Sequence, residues 1–324
     1  MRFFLLIFLF IFSLNAHAEV MRVLFLGTGT PRLDIERFSQ SILIESGDEK
    51  LLFDVGRGAA IRMSQANIPI QDIDKVFLTH LHSDHTLGIS DLIMTGWVYQ
   101  RTKKLKIFGP TGTTKFIYHL KKAFDEDIKI RTAHPESLDP SGLILETNEI
   151  NEGLIYKKGR LEVFAFNVDH GGGVKEAYGY KITNGEQTII ISGDTNFSEN
   201  LIKYAKDCDL LIHEIASAPK PLIKESAKIR GLMNYHTTTE EMIKILELTK
   251  PRLTILTHIL ALGGIKLESI LKTIQDSTEN KFEINFAYDL MAIDVKNKFN
   301  IYSVNYSKKK INEKNKNNWN SKFN

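Results

Sequence analysis

Short apolar runs closed by glycine, aspartate or histidine recur along this chain, and most are rich in valine, isoleucine and phenylalanine. Runs of that length and content read as buried strands. The pattern predicts strands over 21–26, 40–45, 50–53, 75–79, 104–108, 161–168, 179–183, 187–192, 210–213, 253–257 and 285–295. The second and third of these form a hairpin around Ser46-Gly47-Asp48. Apolar positions at helical spacing predict helices over 59–66, 113–124, 198–206, 239–248 and 266–276. The first half is mostly strand, and the second half repeats a strand-then-helix rhythm. Two packed sheets with outer helices fit that order. Residues 217–235 (SAPKPLIKESAKIRGLMNY) lack strong periodicity and are expected to form a loop or lid.

The termini alter this picture. Residues 1–18 place Arg2 before an apolar run over 3–12 and end in Ala16-His17-Ala18, the order of a secretory signal cleaved after Ala18. The run is shorter than the roughly 20 residues a spanning helix needs. No other stretch is long enough, so no membrane span is expected after signal removal, and the mature chain is expected to be periplasmic or secreted. Residues 308–324 carry six lysines against Glu313 and few apolar residues, which reads as a disordered Lys/Asn-rich tail. One domain over 19–307 lies between them, with no low-complexity linker. The full chain has a net charge of +3; without the tail and the signal the body carries −3. A body that grips a long polyanion shows the opposite balance, so nucleic acid is disfavoured as a partner. Cys208 is the only cysteine, which excludes an intrachain disulfide, and its acidic neighbours favour an inert thiol.

The candidate chemistry begins where the strand over 75–79 runs into THLHSDHTLG. Three histidines and an aspartate within six positions are costly in a core unless they bind something. His80 and His82 are two apart, so on an extended chain they point the same way and can share an ion. Asp84 and His85 follow as the chain turns and can face a second ion. Further polar residues sit at other strand ends: His170 before Gly171-Gly172-Gly173, Asp194 in SGDT, His213-Glu214, and His258. His236 follows the irregular segment. Of nine histidines outside the signal, only His119 and His134 lie elsewhere. Imidazoles mixed with aspartates suit zinc or a similar divalent ion, and the lack of cysteine argues against a thiolate structural site. Asp194 could bridge two ions, and two ions sharing a water form a hydrolase centre. GTGTP at 27–31 is read as turn geometry rather than a phosphate cradle.

The set His80, His82, Asp84, His85, His170, Asp194 and His258 resembles the binuclear site of the metallo-β-lactamase superfamily, through HxHxDH above all. GTGTP, FDVGRG, SGDT, HE and HTTTEE look like the branch holding ribonuclease Z and the metal-dependent arylsulfatases, and VDHGGGVKEAYGYKI and SGDTNFSENLI look closer to the arylsulfatase-like group. The resemblance runs from about residue 21 to 295. It implies an α/β fold of the α+β type, a four-layer αββα sandwich with metals at the sheet edges. It also implies two Zn2+ per chain, with Mn2+ or Fe2+ as alternatives. One ion would take His80, His82 and His170, the other Asp84, His85 and His258, with Asp194 between them and Asp54 orienting a ligand from behind.

The expected function is therefore an exported dinuclear zinc hydrolase of small anionic esters, with aryl sulfates favoured. Catalytic roles fall to Asp84 and to His236, oriented by Glu214, which would protonate the leaving oxygen. A lysine or Arg230 in 217–235 could meet an anionic substrate. The alternative is a ribonuclease Z-like phosphodiesterase or tRNA 3′ endonuclease. Export, the acidic body and the lack of a Gly/Pro/Lys-rich insertion at 125–160 count against it. A catalytically dead binding module would be expected to have lost ligands, and this chain keeps every one. A homodimer remains open.

Overall fold

The computed structural model describes residues 20–304, so the signal read at 1–18 and the tail read at 308–324 lie outside the described residues. The chain builds one sheet, then a second, and returns to the first. Strands β1 (Met21–Gly27), β2 (Ser41–Ser46), β3 (Glu49–Phe53), β4 (Lys75–Phe77), β5 (Leu105–Gly109) and β6 (Leu145–Glu149) come first. They are followed by β7 (Gly153–Lys158), β8 (Leu161–Val168), β9 (Ala177–Thr183), β10 (Thr188–Ile191), β11 (Leu210–Ser217), β12 (Leu253–Ala261) and β13 (Ile284–Phe286) in the second sheet. Strands β14 (Met291–Val295) and β15 (Asn300–Ser303) then complete the first, whose order is β15-β14-β1-β2-β3-β4-β5-β6. The second sheet runs β13-β12-β11-β10-β9-β8-β7.

Successive strand residues point to opposite faces, and here both faces are apolar. In β1, Val23 and Phe25 enter the layer between the sheets, while Leu24 and Leu26 face outward under helices. In β11, Leu210 and Ile212 face the other sheet and Leu211 faces helices. Such two-sided burial explains why these strands read as continuous apolar runs rather than alternating ones. Phe53, Phe77 and Phe108 stack across β3, β4 and β5 with ring centroids 5.0 and 4.9 Å apart, filling the gap between the sheets.

Helices α1 (Ala59–Gln65), α2 (Ser83–Thr86), α3 (Ile89–Val98), α4 (Thr113–Ala123) and α5 (Asp125–Thr132) belong to the first half. Of these, α1, α3 and α4 bury apolar side chains against the outer face of the first sheet. In the second half come α6 (Glu199–Ala205), α7 (Lys220–Glu225), α8 (Ala227–Met233), α9 (Thr239–Thr249) and α10 (Leu267–Ser277), of which α6, α9 and α10 cover the second sheet. The layers are therefore α, β, β, α, as expected. Among the described residues no helix is long and apolar enough to cross a membrane.

Helices α2 and α3 and strands β6, β7 and β15 have no counterpart in the sequence reading, and three further segments differ from it. The strand expected over 285–295 is two strands in different sheets, β13 and β14. Between them Leu290 adopts φ 67° and Asp289 accepts hydrogen bonds from Thr28 and Phe38, which pins the crossing. Residues 217–235 are not an irregular loop. Pro219 starts α7, and Ser226 ends it and caps α8 by accepting from the Ile229 N–H; helices this short depend on such caps rather than on periodicity. Helix α5 buries nothing, so no apolar stripe marks it; acids in its first turn and bases in its last suit the helix dipole.

Candidate metal centre

The site lies where the sheets end on one side of the sandwich. β4 stops at Phe77, the chain bends at Thr79, and His82 is extended (φ −64°, ψ 151°) just before α2 begins at Ser83. The switch from extended to helical backbone divides the motif. His80 and His82 stay on one side, and Asp84 and His85 swing to the other. Gly56 and Gly88 permit this, because a Cβ on Gly56 would sit 2.5 Å from the Asp84 carbonyl oxygen and one on Gly88 2.4 Å from that of Gly56. The FDVGRG segment thus packs directly on the ligand turn, joined by the Val55 N–H donating to the His85 carbonyl at 2.8 Å.

The structure brings all seven expected ligands together. His82 Nδ1 lies 2.9 Å from His80 Nε2 and 3.2 Å from His170 Nε2. On the other side, His258 Nε2 is 3.1 Å and His85 Nε2 3.6 Å from Asp84 Oδ2. Asp194 Oδ2 stands between the groups, 4.0 Å from His80 and His170 and 3.4 Å from His85 and His258. Only His82 of the seven is exposed. Ring nitrogens that face one another repel through their lone pairs unless a proton or cation lies between them. His85 Nε2 is buried and without a hydrogen-bond partner. Such a donor set, oxygen and imidazole only, fits divalent zinc, manganese or iron.

Neighbouring groups set which nitrogen is free on three of the five rings. His85 Nδ1–H donates to Asp54 Oδ2 at 2.7 Å, leaving Nε2 for the centre. Thr79 Oγ1 donates to Asp54 Oδ2 at 2.9 Å and accepts from His80 Nδ1–H at 3.0 Å, which does the same for His80. His170 Nδ1–H donates to the Tyr235 carbonyl at 3.1 Å. Asp54 thus orients ligands from behind rather than joining them. Thr79 and the Tyr235 carbonyl escaped the sequence reading. A hydroxyl just ahead of the first histidine was the available signal for Thr79; nothing in the sequence marks a backbone carbonyl. Burial opposes ionisation of Asp194, but His258, His85 and His80 hold its carboxyl well below the usual range, so it is anionic.

His236 and Glu214 also come to the site. The His236 ring lies 5.3 Å from that of His170 and 5.7 Å from that of His258. Its Nδ1–H donates to Glu214 Oε1 at 3.1 Å. The same oxygen accepts the Thr195 and Thr237 amides at 3.2 and 2.9 Å, so one carboxylate fixes both the loop after Asp194 and the ring. Burial would lower the His236 pKa, but Glu214 outweighs it and holds the ring up at about 9. His213 points away and donates to the Glu214 carbonyl.

Other candidates are placed elsewhere. The GTGTP amides are spent internally: Gly29 N–H donates to Phe38 and Thr28 N–H to Asp289, which leaves a turn rather than a phosphate cradle. Arg230 donates to the carbonyls of Ile223 and Lys224, closing α7, and Lys220 lines a separate cavity of about 750 Å³. Burial and Asp209 push the Cys208 thiol up to about 12, in keeping with an inert residue. A cleft of about 440 Å³ opens beside His82, lined by Leu81, Pro110, Thr111, Gly172 and Lys175 among others.

Layers, strand order and ligand set define a metal-dependent hydrolase of the metallo-β-lactamase fold, related to ribonuclease Z. The ribonuclease Z of Mycobacterium sp. (strain KMS) is 30% identical over 243 residues, covering 74% of this chain and 85% of that protein. Among solved structures, the metallo-β-lactamase fold protein YhfI from Bacillus subtilis matches with a TM-score of 0.65 at 19% identity, over 85% of this chain and 98% of that one. Human tRNase Z, short form, matches with a TM-score of 0.63 at 21% identity, over 85% and 99%. The chain belongs to the family described as Anti-Pycsar protein Apyc1, which matches residues 21–262. Of the two branches that the sequence motifs resemble, these relatives support the ribonuclease Z side, and the aryl sulfate reading draws no support from them.

Proposed function

We propose that this chain is a dinuclear phosphodiesterase, so that the alternative reading of the sequence replaces the aryl sulfate one. The observation that carries it is the Glu214–His236 pair set beside a complete ligand set. Phosphodiesters of sugars leave as alkoxides, which are poor leaving groups and need a proton in the transition state. Aryl esters leave as phenolates, whose conjugate acids ionise near pH 10, and they need that proton much less.

His80, His82 and His170 would hold one cation and Asp84, His85 and His258 the other, with Asp194 between. Zinc is the first choice. Bound there, the cations would supply Lewis acidity toward the phosphoryl group and toward attacking water. The chain's own residues do the rest. Asp54, Thr79 and the Tyr235 carbonyl keep the His80, His85 and His170 rings in one tautomer and orientation. Asp84 adds negative charge on the His258 side. His236 turns its Nε2 face toward the reacting group, held by Glu214 through Nδ1, and delivers a proton to the departing oxygen. Substrate would enter through the cleft beside His82, where exposed Lys175 stands near an incoming anion.

The test is a comparison of zinc-loaded protein on bis(4-nitrophenyl) phosphate, an alkyl phosphodiester and 4-nitrophenyl sulfate. Phosphodiester turnover should dominate. His236→Ala should lower turnover of the alkyl diester by about 10²- to 10⁴-fold with metals retained, and that of the nitrophenyl diester far less. Sulfate release without phosphodiester cleavage would overturn the proposal and reinstate the aryl sulfate reading.

A further inference from the structure

Strand β11 outruns its neighbour. The last pair between β10 and β11 is Ile191 with Ile212, after which the Ser192 N–H donates to the Ile212 carbonyl at 2.9 Å. The chain then turns away at Gly193, φ 62°, to present Asp194. On its other edge β11 stays paired with β12 as far as Ser217, with a register shift just after Glu214. The Glu214 peptide therefore faces a side from which the neighbouring strand has gone. A buried N–H and C=O there need partners from elsewhere.

Two side chains supply them. Ser192 Oγ accepts the Glu214 N–H at 3.1 Å, and His213 Nδ1–H donates to the Glu214 carbonyl at 2.7 Å. His213 is fully buried, it lies outside the ligand cluster, and the proposed reaction makes no direct use of it. Its Nε2 has no hydrogen-bond partner, so the ring's one proton sits on Nδ1, which donates it in the hydrogen bond to the carbonyl. The serine of SGDT and the histidine of HE thus do the work of a missing strand.

We propose that Ser192 and His213 are positioning residues: by holding the Glu214 peptide beyond the end of β10, they aim the Glu214 carboxylate at His236 and at the loop that carries Asp194. This rests on the reading of His236 as the proton donor. A loosened Glu214 would misplace the ring while the seven ligands stay in place, so the loss should depend on the leaving group.

The experiment uses the zinc-loaded full chain with two diesters, one with an alkyl and one with a nitrophenyl leaving group. His213→Leu should reduce turnover of the alkyl diester by roughly 10-fold, the order expected for one lost hydrogen bond at a buried group, with little change for the nitrophenyl diester and unchanged metal content. His213→Asn, whose amide nitrogen can replace Nδ1 as donor, should restore most of the loss. Ser192→Ala removes the other stand-in without emptying the space of an imidazole and should show the same leaving-group pattern. Added to His236→Ala, His213→Leu should cost nothing more. If His236→Ala depends on the leaving group but His213→Leu and Ser192→Ala slow both diesters equally, or shed metal, this inference fails alone. If His236→Ala shows no such dependence, the proton-donor reading falls and takes the inference with it.

Discussion

Strands β3 and β4 bury charged side chains at both of their ends, and the two ends differ in kind. At their amino ends Glu49 accepts from Tyr156 Oη at 2.6 Å, from Lys75 Nζ at 2.8 Å and from Lys158 Nζ, and Lys75 also reaches Asp74 at 2.7 Å. That network joins the two sheets and satisfies itself. At their carboxyl ends Asp54, His80 and His85 belong to a cluster in which ring nitrogens face one another and His85 Nε2 has no partner. A closed buried network acts within the fold; an open one with the right donor atoms is built for a ligand. Changes at the carboxyl ends should therefore alter metal binding and turnover, and changes at the amino ends should alter stability alone.

The strongest test of that division is Asp194→Ala. Its Oδ2 stands within 4.0 Å of both imidazole groups, so removing it weakens both sites at once. Elemental analysis should show about two zinc ions per wild-type chain and clearly fewer in the variant. Turnover should fall by much more than the ~100-fold expected for losing an outer partner. An unchanged metal content would show that Asp194 does not link the two groups.

Asp54→Asn should have a smaller effect on the same end. Asp54 sits at φ 53°, a conformation asparagine tolerates, so the backbone should hold. The amide can still accept from the Thr79 N–H, but it presents an NH2 group where His85 Nδ1–H now donates, or else gives up the Thr79 contact. Metal affinity, measured by equilibrium dialysis against buffered zinc, should drop by about 10- to 100-fold. No change would mean that the His85 ring is held by packing rather than by this bond.

The open end was largely legible in the sequence and the closed end was not, for a physical reason. Ligands must converge on a point, so the fold delivers them from strand ends. HxHxDH places four of them within six positions, and His170, Asp194 and His258 each close an apolar run. The proposed general acid and its partner follow the same rule, which is why Glu214 and His236 could be singled out. The orienting contacts of Thr79 and of the Tyr235 carbonyl depend on backbone positions that no pattern records. Glu49 meets Tyr156 across 107 residues of sequence, and either alone reads as an ordinary solvated side chain. The sheet layers were visible as apolar runs, but the break between β13 and β14 was not, because Phe286 and Met291 flank a crossing fixed by partners far away in sequence, Thr28 and Phe38 on Asp289 and the Phe25 carbonyl on the Leu290 N–H.

Glu49→Gln probes the closed end and should have the smallest effect. Burial by itself would raise the Glu49 pKa, but hydrogen bonds from Lys158, Lys75 and Tyr156 hold it at about 2, below the ordinary 4.5. A carboxylate whose pKa is depressed in the folded state stabilises that state above the unfolded pKa, and loses the effect as pH falls through the folded one. Glu49→Gln should therefore lower stability at pH 7 by on the order of 1–2 kcal/mol, the scale of hydrogen bonds to a charged group. The gap between wild type and variant, read from denaturant midpoints, should narrow as pH drops from 4.5 toward 2. Zinc content and turnover at pH 7 should match wild type. A gap that stays constant down to pH 3, or a loss of zinc in the variant, would show that the two ends are not independent and would break the comparison.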